Sequence, residues 1–294
     1  MSNFYVENGV LVRYRGNETT VTVPEGVTAI GDEAFKGCTD VTEVCLPDGI
    51  TSVGAEAFRD CNALEKINLP EGVTNLSFRA FYCCGSLREI KVPRSLTYIG
   101  DSAFLDCRSL ESVSFAGKLP AIGSLAFAGC ERLADENGFV IIGDRLIDLV
   151  RSLNGEVSVP DGVTEIGAYV FYDQSDVERI SIPSTVTTVC NGAFRACSSL
   201  TEIDLPDSVK SIEQFAFSEC SALRRITIPR GVGRIAYGTF EKCTSLEEIH
   251  LPDSITFIED RAFYACTSLK RVTYPVPGCT VEPGAFEACP ALQA

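Results

Sequence analysis

Pro47-Asp48-Gly49-Ile50-Thr51-Ser52-Val53-Gly54-Ala55-Glu56-Ala57-Phe58-Arg59-Asp60-Cys61-Asn62-Ala63-Leu64-Glu65-Lys66-Ile67-Asn68-Leu69 is one of a set of 23-residue stretches that follow one another along the chain. Equivalent stretches begin at Pro70, Pro93, Pro206, Pro229 and Pro252. Pro47-Asp48-Gly49 is a turn, because proline presets φ and glycine accepts a positive one. Ile50-Thr51-Ser52-Val53 is a short β-branched strand, and Gly54 ends it. Ala57, Phe58, Cys61 and Leu64 follow at spacings of one, three and three, which predicts about two turns of helix. Ile67 and Leu69 alternate with polar Lys66 and Asn68, which marks a second strand with one face inward. A constant period means one unit stacked on copies of itself, so the chain is a repeat solenoid of the α/β type.

Each position of the unit recurs in register. Phe35, Phe58, Phe81, Phe104 and Phe127 form one series, and Phe171, Phe194, Phe217, Phe240, Phe263 and Phe286 a second. A cysteine stands three places after each of them except Phe171, which is followed by Gln174. Stacking turns these positions into buried columns. Phe104→Ala is expected to cost about 3–5 kcal/mol. The cysteines beside the phenylalanines read as small apolar residues and free thiols.

One interruption breaks the period. From Ile122 to Ile166 is 44 residues, two short of two repeats. The stretch from Phe139 to Pro160 echoes the one from Phe4 to Pro24. Each opens on an apolar strand, turns at Asn8-Gly9 or Gly143-Asp144, and enters Val21-Thr22-Val23-Pro24 or Val157-Ser158-Val159-Pro160. Two-residue turns of this kind favour β-hairpins. The chain is therefore expected to hold two modules, 1–133 and 134–294. Each is a β-hairpin leader followed by five or six right-handed coils, within one continuous solenoid.

The charge balance of 25 Lys+Arg against 40 Asp+Glu gives −15, which disfavours nucleic acid and anionic membranes as partners. No apolar run approaches the length that spans a bilayer, so no membrane insertion is expected. Met1-Ser2-Asn3-Phe4 lacks the basic start and apolar stretch of a signal peptide. A cytoplasmic location follows if Met1 is the native start, and a surface or secreted one if a leader has been removed. Ala291-Leu292-Gln293-Ala294 stops in mid-repeat without the polar cap that solenoids carry, as readily a piece of a longer protein as a whole one.

Chemistry finds little to work with. No Cys-x-x-Cys occurs, so zinc and thioredoxin-like redox sites lack their usual spacing. His250 is the one histidine, too few for a multi-histidine metal site, and no nucleophile elbow accompanies it. Phosphate-binding glycine loops are absent. Cys45 and Cys83 are the thiols most open to reaction. The turn row with Glu25, Asp48, Glu71, Asp161, Asp207 and Asp253 runs along a ridge, and calcium needs converging oxygens. No enzyme activity, metal or cofactor is expected.

The feature that points to binding lies on the second strand. Four residues before each turn proline stand Glu43, Lys66 and Glu89, then Glu156, Arg179, Glu202, Arg225, Glu248 and Arg271. Neighbouring strands set these opposite charges side by side, which reads either as an inter-coil ion-pair network or as a recognition strip. Asp204, Thr227, His250 and Thr273 form the adjacent outward row. Exposed aromatics such as Tyr169, Tyr172, Phe215, Tyr237 and Tyr264 are a further candidate patch.

The pattern Pro-Asp-Gly-Val-Thr-x-Ile-Gly-x-x-Ala-Phe-x-x-Cys-x-x-Leu resembles the repeat of the BspA-like leucine-rich repeat family. Residues 24–41, 93–110 and 206–223 carry it closely, and the hairpin leaders at 4–23 and 139–159 are similar to segments of that family. The resemblance implies a non-enzymatic bacterial surface or secreted protein that adheres to host matrix proteins or other cells. It defines no binding residues to carry over. The expected function is protein binding by a monomer through Arg179, Glu202, Asp204, Arg225, Thr227, Glu248, His250, Arg271 and Thr273. The ligand is a protein, for instance of the extracellular matrix. The alternative is a structural or scaffolding repeat, either the stalk of a larger surface protein or an intracellular interaction module.

Overall fold

A computed structural model describes residues 3–275 and 277–292, so Met1, Ser2, Gln293 and Ala294, on which the readings of the two ends draw, lie outside the described residues. The chain divides into two compact units, Met1–Gly143 and Asp144–Ala294.

In the first unit the strand Phe4–Glu7 pairs antiparallel with Val10–Tyr14. The turn between them holds Asn8 and Gly9 at φ 50° and 79°, the conformation that matches the twist of a tight hairpin. Val10–Tyr14 opens a parallel row continued by Ala29–Ile30, Ser52–Val53, Asn75–Leu76, Tyr98–Ile99 and Ala121–Ile122. The second strands of the coils form another row: Thr20–Thr22, Glu43–Cys45 and Lys66–Ile67 in one sheet, Glu89–Val92 and Ser112–Phe115 in the next. Beyond Ile67 a side chain takes over from the backbone. The Leu46 amide donates to Asn68 Oδ1 at 2.8 Å, and Asn68 Nδ2 donates to the Leu46 carbonyl at 3.0 Å.

The second unit repeats the plan. Arg145–Leu149, Glu165–Ile166, Thr188–Val189 and Ser211–Ile212 are parallel neighbours, and Arg234–Ile235, Phe257–Ile258 and Thr280–Val281 form a separate sheet. The second strands are Gly155–Ser158, Val177–Ser181, Glu202–Asp204 and Arg225–Thr227 in one sheet, Glu248–His250 and Arg271–Thr273 in another.

The expected helical turns are not helices. The one helical element among the described residues is the 3-10 turn Glu131–Leu133. Residues 54–61 show what replaces them. Ala57, Arg59 and Cys61 donate their amides to the carbonyls three residues back, at 3.4, 3.0 and 3.2 Å. The intervening amides of Glu56, Phe58 and Asp60 donate to Phe78, Ala80 and Tyr82 of the next coil, at 2.9, 2.8 and 2.9 Å. Glu56 and Asp60 are left-handed, with φ 53° and 59°. A helix needs an unbroken right-handed run, so a left-handed residue at every fourth place stops it. The freed amides must find partners, and they find them in the following coil. The one-three-three spacing therefore arises from consecutive turns, which bring the same apolar residues to one face. The backbone bonds that leave this turn wall for another coil all point to the following one. At the flanks of the first strand the direction reverses: Thr51 donates to Thr28 at 2.9 Å and Gly54 to Ile30 at 2.8 Å, both in the preceding coil.

The core is a column of rings. Phe35, Phe58, Phe81, Phe104 and Phe127 are fully buried and stack with centroids 4.9–5.1 Å apart. The rings from Phe171 to Phe286 stack at 5.2–5.6 Å. In the first unit the hairpin leader closes the column, since Tyr14 lies 5.1 Å from Phe35 and Phe4 lies 5.3 Å from Tyr14. The cysteines are free, as expected, but they are more than apolar filler. The Phe58 carbonyl accepts from the Cys61 amide at 3.2 Å and from the thiol of Cys84, in the next coil, at 3.1 Å. The same thiol-to-phenylalanine bond recurs from Cys61 to Cys130 and from Cys197 to Cys289, at 3.0–3.2 Å. A carbonyl has two lone pairs, and a small residue with a weak S–H donor satisfies the second without crowding the rings. Gln174 answers a different need, accepting from the Leu153 amide at 2.8 Å in the irregular stretch before it.

Candidate functional site

The nine residues singled out on the second strands lie in two adjacent rows on one outward face of the second unit. Arg179, Asp204, Arg225, Thr227, Glu248, His250, Arg271 and Thr273 are exposed, and Glu202 is half-buried. Strand alternation explains this: Ile180, Ile203, Ile226 and Ile249 between them point into the core. The register sets Glu156 beside Arg179, Arg179 beside Glu202, Glu202 beside Arg225, and Glu248 beside Arg271. Asp204 pairs with Thr227 and His250 with Thr273 in the adjacent row.

The ion-pair network is partial. Arg179 bridges Glu156 at 4.0 Å and Glu202 at 3.7 Å, and in the first unit Lys66 meets Glu43 at 3.3 Å. Arg225, Glu248 and Arg271 close no such pair among the described residues. These three line a groove of about 460 Å³ with Arg224, Glu247 and Lys270. Lys270 holds Glu247 at 2.8 Å, and that hydrogen bond keeps the Glu247 carboxyl below its usual range. The groove therefore carries a cationic rung (Arg224, Arg225), an anionic rung (Glu247, Glu248) and a second cationic rung (Lys270, Arg271). Four cations against two anions make it locally basic on a chain of net charge −15. A smaller hollow of about 200 Å³ lies between Arg179, Glu202 and Asp204 on the same face.

The sequence reading missed Arg224, Glu247 and Lys270. Their signal was present in the paired like charges at 224–225, 247–248 and 270–271. It also missed a hollow of about 430 Å³ on the other row of strands, where Ser211–Ile212 and Arg234–Ile235 fall in different sheets. Gly233 stands there in the column that holds Thr187 and Thr256, and Arg234 meets Glu259 at 3.1 Å.

Burial, not activation, governs most of the thiols. Desolvation raises Cys83, and it raises Cys190 with help from Glu165. Cys289 moves the other way, lowered by the neighbouring Cys266 thiol. Among the described residues no group of three or more His, Cys, Asp or Glu side chains gathers to hold a metal ion. No helix among them is long and apolar enough to cross a membrane.

Stacked 23-residue coils with a phenylalanine column and two rows of parallel strands define a leucine-rich-repeat solenoid. The model of the BspA type leucine-rich repeat region matches residues 13–134 and 164–293, and the chain belongs to that family. A leucine-rich repeat protein from Bacteroides ovatus is 26% identical, with a TM-score of 0.50 over 100% of this chain and 85% of that one. One from Eubacterium ventriosum is 22% identical, with a TM-score of 0.53 over 97% and 89%. The pneumococcal vaccine antigen PcpA is 20% identical, with a TM-score of 0.54 over 99% and 91%. The last two likenesses speak for the fold alone. No curated protein matches the chain. No enzymatic family is indicated.

Proposed function

We propose that this chain is a non-enzymatic protein-binding module that serves adhesion at a bacterial surface, through the second-strand face of Asp144–Ala294. The observation that carries this reading is the groove at Arg224, Arg225, Glu247, Glu248, Lys270 and Arg271. Arg225, Glu248 and Arg271 close no ion pair among the described residues, so a partner meets them without breaking one. Charged complementarity of this kind steers encounter and selects partners more than it adds affinity. The ligand is a folded or extended protein segment with acidic residues set to meet the two cationic rungs. Host matrix proteins are the class that the family's expected role favours.

The test is binding to immobilised matrix proteins, fibronectin and fibrinogen among them, over a salt series. Saturable binding that weakens as salt rises is the expected result. The double variant Arg225→Glu/Arg271→Glu should lose about tenfold or more in affinity with an unchanged circular dichroism spectrum. Unaltered affinity in that variant removes this face from consideration. An absence of binding across the panel shifts the reading to a scaffolding or stalk segment.

A further inference from the structure

The turn wall of the second unit carries an aromatic pattern that the protein-binding reading does not use. In five successive coils there the first of two left-handed positions is held by Tyr169, Gly192, Phe215, Gly238 and Arg261, at φ 56–61°. Glycine is at home in that conformation, whereas a bulky ring is a genuine outlier. Rings and glycines alternate for a steric reason. A Cβ added at Gly192 would lie 2.5 Å from the Tyr169 ring, and one at Gly238 would lie 2.5 Å from the Phe215 ring. Each ring thus rests against the next coil at the one spot that only glycine leaves free.

Each ring is also met edge-on by a tyrosine. Tyr172 stands 6.1 Å from Tyr169 at 81°, and Tyr237 stands 5.2 Å from Phe215 at 79°. Tyr169 and Tyr172 are 37% and 50% exposed. The neighbouring core column rises 5.2 Å from Phe171 to Phe194 and 5.3 Å from Phe194 to Phe217, so the two platforms sit about 10 Å apart. Arg195 lies between them, with its Cζ 5.7 Å from the Phe215 ring and its Nη2 3.0 Å from Glu219. Its Nε is buried and without a hydrogen-bond partner. Lys242 reaches the same Glu219 at 3.6 Å, and Asp173, whose amide donates to the Arg195 carbonyl at 3.0 Å, brings the count to two cations and two carboxylates.

We infer that this wall is a binding site for an uncharged, β-linked oligosaccharide, with Tyr169/Tyr172 and Phe215/Tyr237 each stacking on one sugar ring. Two platforms at this separation suit every second sugar of an extended chain. Apolar C–H faces of a sugar lie on aromatic rings, whose amphipathic edges tolerate a wet rim. The Arg195–Glu219 pair supplies donors and acceptors for hydroxyls between the platforms. Tyr169 and Tyr172 are exposed and Phe215 and Tyr237 half-buried, an open surface that favours this ligand over a protein, whose anchor residues enter closed pockets. Neutralised charges exclude a strongly acidic or basic one.

The site lies on a different wall from the groove at Arg225 and Arg271, so the two readings fail independently. The test is calorimetric titration of the whole chain with cellohexaose, chitohexaose and cellobiose. Saturable binding of a hexasaccharide is expected, with cellobiose weaker by about tenfold or more, and a loss of about tenfold or more in Tyr169→Gly and in Phe215→Gly. Glycine suits the backbone at both positions, so these variants should stay folded at the titration temperature with an unchanged circular dichroism spectrum, which separates lost binding from lost folding. Arg225→Glu/Arg271→Glu should bind the hexasaccharide as the parent does. Failure of both hexasaccharides to bind, or affinities unchanged in both glycine variants, overturns the site. So does a protein ligand lost in those variants when neither sugar binds.

Discussion

Phe217→Ala tests the column on which the fold rests. The ring is fully buried, 5.3 Å from Phe194 and 5.6 Å from Phe240. Its neighbours cannot close the gap, because the coils are spaced by backbone bonds such as Phe194 to Ala216 at 2.8 Å and Phe217 to Thr239 at 2.9 Å. The void therefore persists, and the cost should fall in the range of about 3–5 kcal/mol for a large buried ring. That range includes two lost ring pairs at about 0.5–1.5 kcal/mol each. Phe286 is the internal control. It is half-buried and, among the described residues, stacks on Phe263 alone, at 5.2 Å. Phe286→Ala loses one pair and opens to water, so it should cost about half as much. Urea unfolding of the full chain followed by circular dichroism, fitted with nearest-neighbour terms between coils, gives both numbers. An end substitution as costly as the central one would refute the reasoning, because the column would then not be a sum of local contacts.

Cys107→Ala should cost about 1–2 kcal/mol, because it leaves the Phe81 carbonyl one donor short. Cys107→Ser should recover part of that in urea midpoint; if alanine is tolerated better than serine, the thiol is filler and not a donor. Alkaline conditions should weaken the fold. Burial raises the Cys61 thiol from 9.0 to about 12, and burial with the Glu18 hydrogen bond raises the Tyr14 phenol from 10.0 to about 12. The unfolded chain ionises first, so stability is full below pH about 9 and falls as pH rises from there to about 12. A urea midpoint that stays flat from neutral pH to pH about 10 would contradict this.

Much of the fold was legible because β-strand burial writes itself as alternation. Ile67 between Lys66 and Asn68, or Ile249 between Glu248 and His250, leaves one register open, and the period then stacks it. The turn wall was not legible by the same means. Ala57, Phe58, Cys61 and Leu64 sit on one face whether the chain runs in a helix or in consecutive turns, so their spacing does not distinguish the two. The distinguishing residues are the left-handed ones, and Glu56 or Arg79 at such places carries no mark in the sequence. The faint sign was the recurrence of glycine or aspartate two places after the phenylalanine, at Gly37, Asp60, Asp106, Gly129 and Asp173. On the candidate face the single row of alternating charge was readable. Its doubling by Arg224, Glu247 and Lys270 was written as paired like charges, but their place in the groove was not, because whether a corner residue turns toward the strand face depends on the path of the coil.

The directions of the backbone bonds bear on how such a chain varies in length. The turn-wall amides that bond to another coil's backbone donate forward, and those flanking the first strand donate backward. A helix aligns every peptide one way, so partial charges stand exposed at its two ends. Here two oppositely polarised arrays run side by side and their fields offset one another. Coils can then be inserted or deleted with almost no change in the charge carried by either terminus. Repeat number is left to drift with the demands of the surface it presents, unconstrained by end electrostatics.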